Sequence, residues 1–303
     1  MKKNYLVSIG IPVYKALYLK DTIQSVLNQD YKNLEIIIVN DKSPEDIDSI
    51  VLSLNDKRIH YYINNENLGK KSIVLNWNRC LSYAKGDFFT LICDDDIMKE
   101  NFISTMIELA EKNPSCNVFS CGRIIINSVT HSLVGKTKEL PTYESYNTYL
   151  EETIKGNRKH TISEFFYRTE YIKKKKGYKV YPAGYYADDA SVLNFTSDGG
   201  IVRTNKRLII FRKSAINISS NPTYNVQKAQ AGIIYYKWLS SLNKGEYDKI
   251  IKNRLEYDLY EYLSNTLSII DFIKILYITP TTIWSIPRKI YYILNYYKIK
   301  RLQ

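Results

Sequence analysis

Phe88-Phe89-Thr90-Leu91-Ile92-Cys93-Asp94-Asp95-Asp96 is an apolar run that stops in three carboxylates, and a helix-like stretch begins close behind it, near Met98. A run of this kind reads as a strand, so the aspartates fall at the C-terminal edge of a sheet, where open α/β sheets bind ligands. Three adjacent carboxylates repel one another unless water solvates them or a positive charge sits among them. A divalent cation with oxygen ligands is one common solution. For an isolated triplet the plainer reading is a solvated turn in which Asp96 caps the next helix. The rest of the chain has to choose between the two.

Upstream, Val7 to Val13 is a short apolar run ending in a Pro12-containing turn, which predicts a buried first strand. Leu17, Ile23, Val26 and Leu27 then fall near helical spacing, and Leu34 to Val39 is a β-branched run of the kind covered on both faces of a sheet. A polar turn, Asn40-Asp41-Lys42-Ser43-Pro44, leads to a helical segment with Ile47, Ile50, Val51 and Leu54. A strand at 59–63, an Asn-rich loop ending at Gly69 and a helix over about 71–84 follow, with Gly86 as its C-cap. Four strands separated by three helices predict a doubly wound α/β sheet. The first turn carries no G-x-G-x-x-G and there is no Walker A loop, so neither a dinucleotide fold nor a P-loop is offered.

Downstream, 103–109 continues a helix and 117–126 reads as a strand. Residues 128–160 are polar with weak periodicity, the least readable part of the chain and a plausible flexible substrate loop. Lys173 to Lys176 read as a solvated basic face. Asp188-Asp189 is a second acidic pair before a helical segment, and the strand 208–211 ends at Arg212. Past Ser219 the strand-like runs stop and apolar residues recur at helical spacing, which predicts two regions, 1–220 and 221–303.

Composition bounds the partners. The chain has 303 residues with 43 Lys and Arg against 31 Asp and Glu, a formal charge of +12 that points to an anionic partner such as a phosphorylated substrate, an acidic membrane or nucleic acid. Cys80, Cys93, Cys116 and Cys121 form no C-x-x-C pair and sit in apolar surroundings, as small hydrophobes do in a reducing compartment. His60, His131 and His160 lack metal-ligand spacing and read as structural or surface residues. Met1-Lys2-Lys3 runs straight into a strand, which predicts no signal peptide. The longest uncharged stretch, 275–287, holds two prolines and falls short of the about 20 apolar residues a bilayer span needs.

Taken in order, Pro12-Val13-Tyr14, Asn40-Asp41-Lys42-Ser43, Gly69, Asn78, Gly86-Asp87, Asp94-Asp95-Asp96, Asp188-Asp189 and Phe211-Arg212 resemble family 2 of the inverting glycosyltransferases, over about Val7 to Ser219. The resemblance implies a GT-A fold, that is a Rossmann-like doubly wound mixed sheet, with a C-terminal helical extension. It implies transfer of a sugar from a nucleoside-diphosphate sugar, a UDP-sugar first of all, to a saccharide or lipid-linked saccharide acceptor in cell-surface polysaccharide synthesis. Asp96 and Asp95 then hold Mg²⁺ or Mn²⁺ in the manner of a D-x-D site, with Cys93 standing where many members carry the first acid. Asp189 matches the family's general base. Pro12, Tyr14, Asp41, Lys70, Lys71, Asp94, Asp95 and Arg212 fall on the donor side, Asp41 and Tyr14 at the base and the cations near the diphosphate.

Two other readings compete. A nucleic-acid-binding protein would use the positive charge and the 28 tyrosines, but the sharpest motifs are acidic, and no nucleic-acid partner is expected. A nucleotidyltransferase shares the sheet and the carboxylates yet wants a Gly- and Lys-rich loop after strand one, which is missing. The tail from Phe272 has cations, tyrosines and Trp284 but no acid, which fits either a packed helical hairpin or binding in the plane of an anionic membrane. The expected location is the cytoplasm, peripheral to the inner face of the plasma membrane.

Overall fold

The computed structural model describes residues 4–214 and 217–301; Met1-Lys2-Lys3, on which the leader reading rests, lie outside them. The first half alternates as its hydrophobic pattern requires: β1 (Val7–Val13), α1 (Leu19–Leu27), β2 (Leu34–Asn40), α2 (Ile47–Leu52), β3 (Ile59–Ile63), α3 (Val74–Tyr83) and β4 (Phe88–Leu91). Every residue of β2 and β4 is buried, as the near-continuous apolar runs demand. β1 pairs in parallel with β2 and β4, and β2 with β3. The polypeptide then passes through β5 (Ile97–Met98), α4 (Phe102–Lys112), β6 (Val118–Asn127), β7 (Leu133–Lys136), β8 (Tyr143–Glu144) and α5 (Tyr146–Ile154). β9 (Phe165–Arg168), α6 (Thr169–Lys174), α7 (Ala187–Phe195) and β10 (Ile201–Lys213) complete the α/β part.

These strands form one mixed sheet in the order β3-β2-β1-β4-β9-β6-β10-β5, with β7 on β6 and β8 on β10. β9 is antiparallel to both of its neighbours, β4 and β6. The core beneath β1 and β2 is closed by Leu19, Ile23 and Val26 of α1 and by Phe102, Ile103 and Met106 of α4. Each of these side chains, fully buried, contributes about 1.5–3 kcal/mol relative to exposure.

Three local expectations change. Gly86 is not a helix C-cap: α3 ends at Tyr83 with Ala84 as its cap, and Gly86 is needed because a Cβ there would lie 2.7 Å from both Leu6 O and Ser8 N. The 128–160 stretch is structured, because β7 adds to β6, β8 adds to β10, and α5 buries Tyr149, Leu150 and Ile154. The basic run at 173–176 is partly tied down: Lys173 donates to Ala84 O and Lys175 pairs with Asp198 at 2.9 Å.

The chain divides into two compact units. The first comprises Met1–Glu152, Arg158–Val180 and Ala187–Ser214; the second comprises Thr153–Asn157, Tyr181–Tyr186 and Ala215–Gln303. The second contains α8 (Asn225–Leu242), α9 (Asp248–Ser264), α10 (Ile269–Ile278), α11 (Ile286–Leu294) and α12 (Tyr296–Arg301). Its interior includes Leu239, Leu259, Phe272, Ile275 and Trp284, the last with no exposed surface, so Trp284 is a core residue and not an interfacial one. Within it Asp258 accepts from the hydroxyls of Tyr186 and Tyr236. Among the described residues no helix is long and apolar enough to cross a membrane.

Candidate active site

The three aspartates point to different partners. Asp94 Oδ2 accepts from the backbone N–H groups of Tyr14 and Lys15, each at 2.9 Å, and so ties the end of β4 to the loop after β1. Asp96 is fully buried: Oδ2 accepts from Ser163 Oγ at 2.6 Å, whereas Oδ1 has no hydrogen-bond partner among the described residues. Ligand atoms of Cys93, Asp95 and Asp96 lie within 4.8 Å of one another. Burial first, then the neighbouring charge, raises both carboxyls: Asp95 to about 6, beside Asp94, and Asp96 well above the usual range, beside Asp95.

This donor set fits a hard divalent ion. An orphaned buried carboxylate oxygen is costly without a partner, and a cation supplies one. The two carboxylates are the natural ligands, because burial holds the Cys93 thiol well above its ordinary value and leaves it protonated.

The second carboxylate centre is reached through one short stretch, His160 to Glu164. Ser163, besides donating to Asp96, accepts from Cys93 N at 3.3 Å. Three residues earlier, His160 Nε2 lies 3.3 Å from Asp189 Oδ1. Glu164 accepts from Thr161 N and is ion-paired with Arg123, which also donates to Lys159 O. Thr90 Oγ1 donates to Phe165 O and fastens the exit of the turn to β4.

Asp188 and Asp189 occupy the first turn of α7, where the helix dipole favours acids. Asp188 accepts from Asp189 N at 3.0 Å, and burial pushes its carboxyl up to about 6. Asp189 keeps 29% of its side chain exposed, against 8% for His160. The imidazole is neutral at pH 7, because burial and the guanidiniums of Arg123, Arg203 and Arg158 push it down to about 3.

The remaining candidates divide into groups. Asp41 is buried and organises the 64–69 loop: Oδ1 accepts from Leu68 N and Asn64 Nδ2, and Oδ2 from Gly69 N at 2.7 Å. Pro12, next to last in β1, is half-buried, and Tyr14 is 42% exposed, with its carbonyl accepting from Ser43 Oγ. Lys70 is exposed, and Lys71 makes a 3.6 Å surface pair with Glu66. Arg212 is buried: it pairs with Asp21 at 2.9 Å, donates to Asp95 O and stacks on Tyr18, so it fixes the aspartate turn from behind. The structure therefore gathers Tyr14, Asp94, Asp95, Asp96 and Arg212 through direct contacts, and joins Asp96 to Asp189 through the 160–164 turn.

The model of the family described as "Glycosyl transferase family 2" matches residues 8–175, more than half of the chain. The chain belongs to glycosyl transferase family 2. Among curated relatives, an uncharacterized glycosyltransferase of Rickettsia typhi is 38% identical over 138 residues, 44% of this chain and 42% of the relative. The GalNAc(5)-diNAcBac-PP-undecaprenol beta-1,3-glucosyltransferase of Campylobacter jejuni is 36% identical over 109 residues, 35% of this chain and 34% of the relative. The matches thus span less than half the length of these relatives. Among solved structures, S. aureus TarS 1–349 in complex with UDP-GlcNAc superposes with a TM-score of 0.67 at 15% identity, over 89% of this chain and 79% of TarS. The mixed α/β sheet with C-terminal helices is accordingly the GT-A-like architecture expected for this family member.

His160, Ser163 and Glu164 join the candidate site through these contacts; the sequence reading gave His160 a structural or surface role and did not single out the other two. A lone histidine and a serine in a polar stretch carry no spacing signal. The one available cue was Phe165-Phe166-Tyr167, an apolar run of strand type that would have placed the preceding residues at the edge of the sheet.

Proposed function

We propose that this family 2 member is a metal-dependent inverting glycosyltransferase that moves a sugar from a nucleoside-diphosphate sugar, a UDP-sugar first of all, to an acceptor hydroxyl. The observation that carries the reading is the pairing of a buried carboxylate with an orphaned oxygen, Asp96, with a part-exposed carboxylate beside a neutral imidazole, Asp189, through one short turn. In this reading residues 1–220 bind donor and perform transfer, with residues 221–303 as an appended helical region.

Asp189 takes the proton of the acceptor hydroxyl as its oxygen attacks the anomeric carbon. A single displacement from the face opposite the nucleotide inverts that carbon. Asp95 and Asp96 would hold Mg²⁺ or Mn²⁺, whose charge would offset what develops on the leaving diphosphate. Asp94 and Arg212 keep the aspartate turn in place, and exposed Lys70 and Lys71 are free to swing toward a phosphate. Asp41 shapes the loop that covers the base, and Tyr14 offers its ring to it, with Pro12 setting the turn.

UDP-GlcNAc in the TarS complex supports a UDP-sugar, and the undecaprenyl-linked substrate in the Campylobacter relative's name supports a lipid-linked acceptor in surface-polysaccharide assembly. A thermal-shift panel of nucleotide sugars with Mn²⁺ or Mg²⁺ tests the reading: at least one donor should stabilise the protein only when metal is present. Loss of transfer in Asp189→Asn with donor stabilisation intact is expected. Full transfer by that variant would remove the base assignment.

A further inference from the structure

The second unit turns apolar helix surface outward. In α10 one side, Phe272, Ile275 and Leu276, is buried, while Ile269, Ile273 and Tyr277 recur one turn apart and are exposed, Tyr277 to 87%. In α11 only Tyr292 is buried. Ile286, Ile290, Ile293 and Leu294, at the i, i+4, i+7, i+8 spacing that normally faces a core, are all at least half exposed, Leu294 to 79%. Exposed apolar stripes on this scale mark interaction sites.

Charge selects the occupant. From Phe272 to the last residue there is no Asp or Glu, and Lys274, Arg288, Lys289, Lys298, Lys300 and Arg301 supply +6 of the chain's +12. A second copy of the chain would bring two such cationic sets together, and like charges across an interface oppose association. Lys274 pairs with Asp271 and Arg288 with Glu256 within this unit, and an anionic surface gains from the cationic excess that is left. With no helix among the described residues long and apolar enough to span, the geometry that fits is an apolar stripe sunk into the interface, with flanking lysines reaching back to lipid phosphates.

We propose that the outward stripes of α10 and α11 form a docking surface for an anionic lipid bilayer, on which the protein lies without crossing. Ile286, Ile290 and Leu294 enter the acyl boundary, and exposed Lys274 and Lys298 meet the headgroups. The inference rests on the second unit alone and stands or falls separately from the transfer reaction.

The test is sedimentation of the full chain with phosphatidylcholine vesicles, with and without phosphatidylglycerol, in the absence of any sugar donor. Binding to the anionic vesicles should exceed binding to neutral ones by at least about tenfold, and should weaken between ~0.1 M and ~1 M salt as the Debye length falls from about 10 to about 3 Å. Ile290→Glu with Leu294→Glu, and separately Ile273→Glu with Tyr277→Glu, should each reduce vesicle binding by at least about tenfold with an unchanged melting temperature. Lys274→Gln with Lys298→Gln should lower binding to anionic vesicles only. Equal sedimentation with both vesicle types, or with neither, overturns the proposal. So does a concentration-dependent dimer that the glutamate variants dissolve while vesicle binding is unaffected.

Discussion

Glu164 offers a direct test of how the 160–164 turn is held. Its carboxyl is buried against Arg123, yet burial outweighs the guanidinium and pushes it up from the usual 4.5 to about 7. The native state therefore keeps this proton through a pH range in which the unfolded chain has released it. The stability it contributes is complete below about pH 4.5 and is lost as pH rises through about 7. At about 1.4 kcal/mol per pH unit, the interval corresponds to about 3 kcal/mol. Glu164→Gln removes the titration while keeping an oxygen for Thr161 N and Arg123. In urea denaturation with EDTA present, the stability of the variant relative to the native protein should therefore improve by about 3 kcal/mol between pH 4 and pH 8. Asp95 and Asp188, raised to about 6, titrate in the same window in both proteins, and the repulsion between Asp188 and Glu164, which Glu164→Gln removes, acts in the same direction as the difference. A difference that stays constant across this range would show that Glu164 is ionised throughout and that Arg123, not burial, governs it.

Other perturbations have equally definite outcomes. His160→Phe preserves the edge-on packing against Phe165 but removes the nitrogen 3.3 Å from Asp189; kcat should fall by about tenfold with donor KM unchanged, His160→Gln should restore part of it, and an unchanged kcat would reduce His160 to packing. Glu144 is buried between the guanidiniums of Arg158 and Arg203, so Glu144→Gln should cost about 3 kcal/mol in urea denaturation by taking the carboxylate from buried Arg203 and leaving Arg158 its longer pair with Glu152; a loss below about 1 kcal/mol would mean that water reaches them. Gly86→Ala drives a Cβ against Leu6 O and Ser8 N at 2.7 Å and should cost about 1–3 kcal/mol, seen as a lower melting temperature; an unchanged melt would refute the close-approach account of this glycine.

The parallel half of the fold was legible because each of its strands is a contiguous apolar run and each helix between them has one apolar stripe. β2 is read from Leu34 to Val39 with no knowledge of its neighbours. β9 was not legible: its four residues follow a polar stretch of weak periodicity, and the strand is held by pairing with β4 and β6, which lie earlier in the chain. The acidic motifs announced themselves through local composition. Their linkage did not, since Ser163 reaches Asp96 across 67 residues and His160 approaches an aspartate 29 positions later. Such contacts are set by where β9 lies, and no window of sequence contains them.

Because the 160–164 turn runs directly into β9, it hangs from a strand hydrogen-bonded on both sides in the middle of the sheet. Elements of that kind open only when the whole domain unfolds, whereas loops and sheet edges open locally. The amide protons of Phe165 to Tyr167 should thus be among the slowest to exchange, and the Ser163 hydroxyl bonded to Asp96 is anchored at the end of that strand. Any breathing that admits or releases a ligand is left to the periphery, to the loop clasped by Asp41 and to the β7–β8 stretch, while the contact of Ser163 with Asp96 belongs to the rigid middle of the sheet.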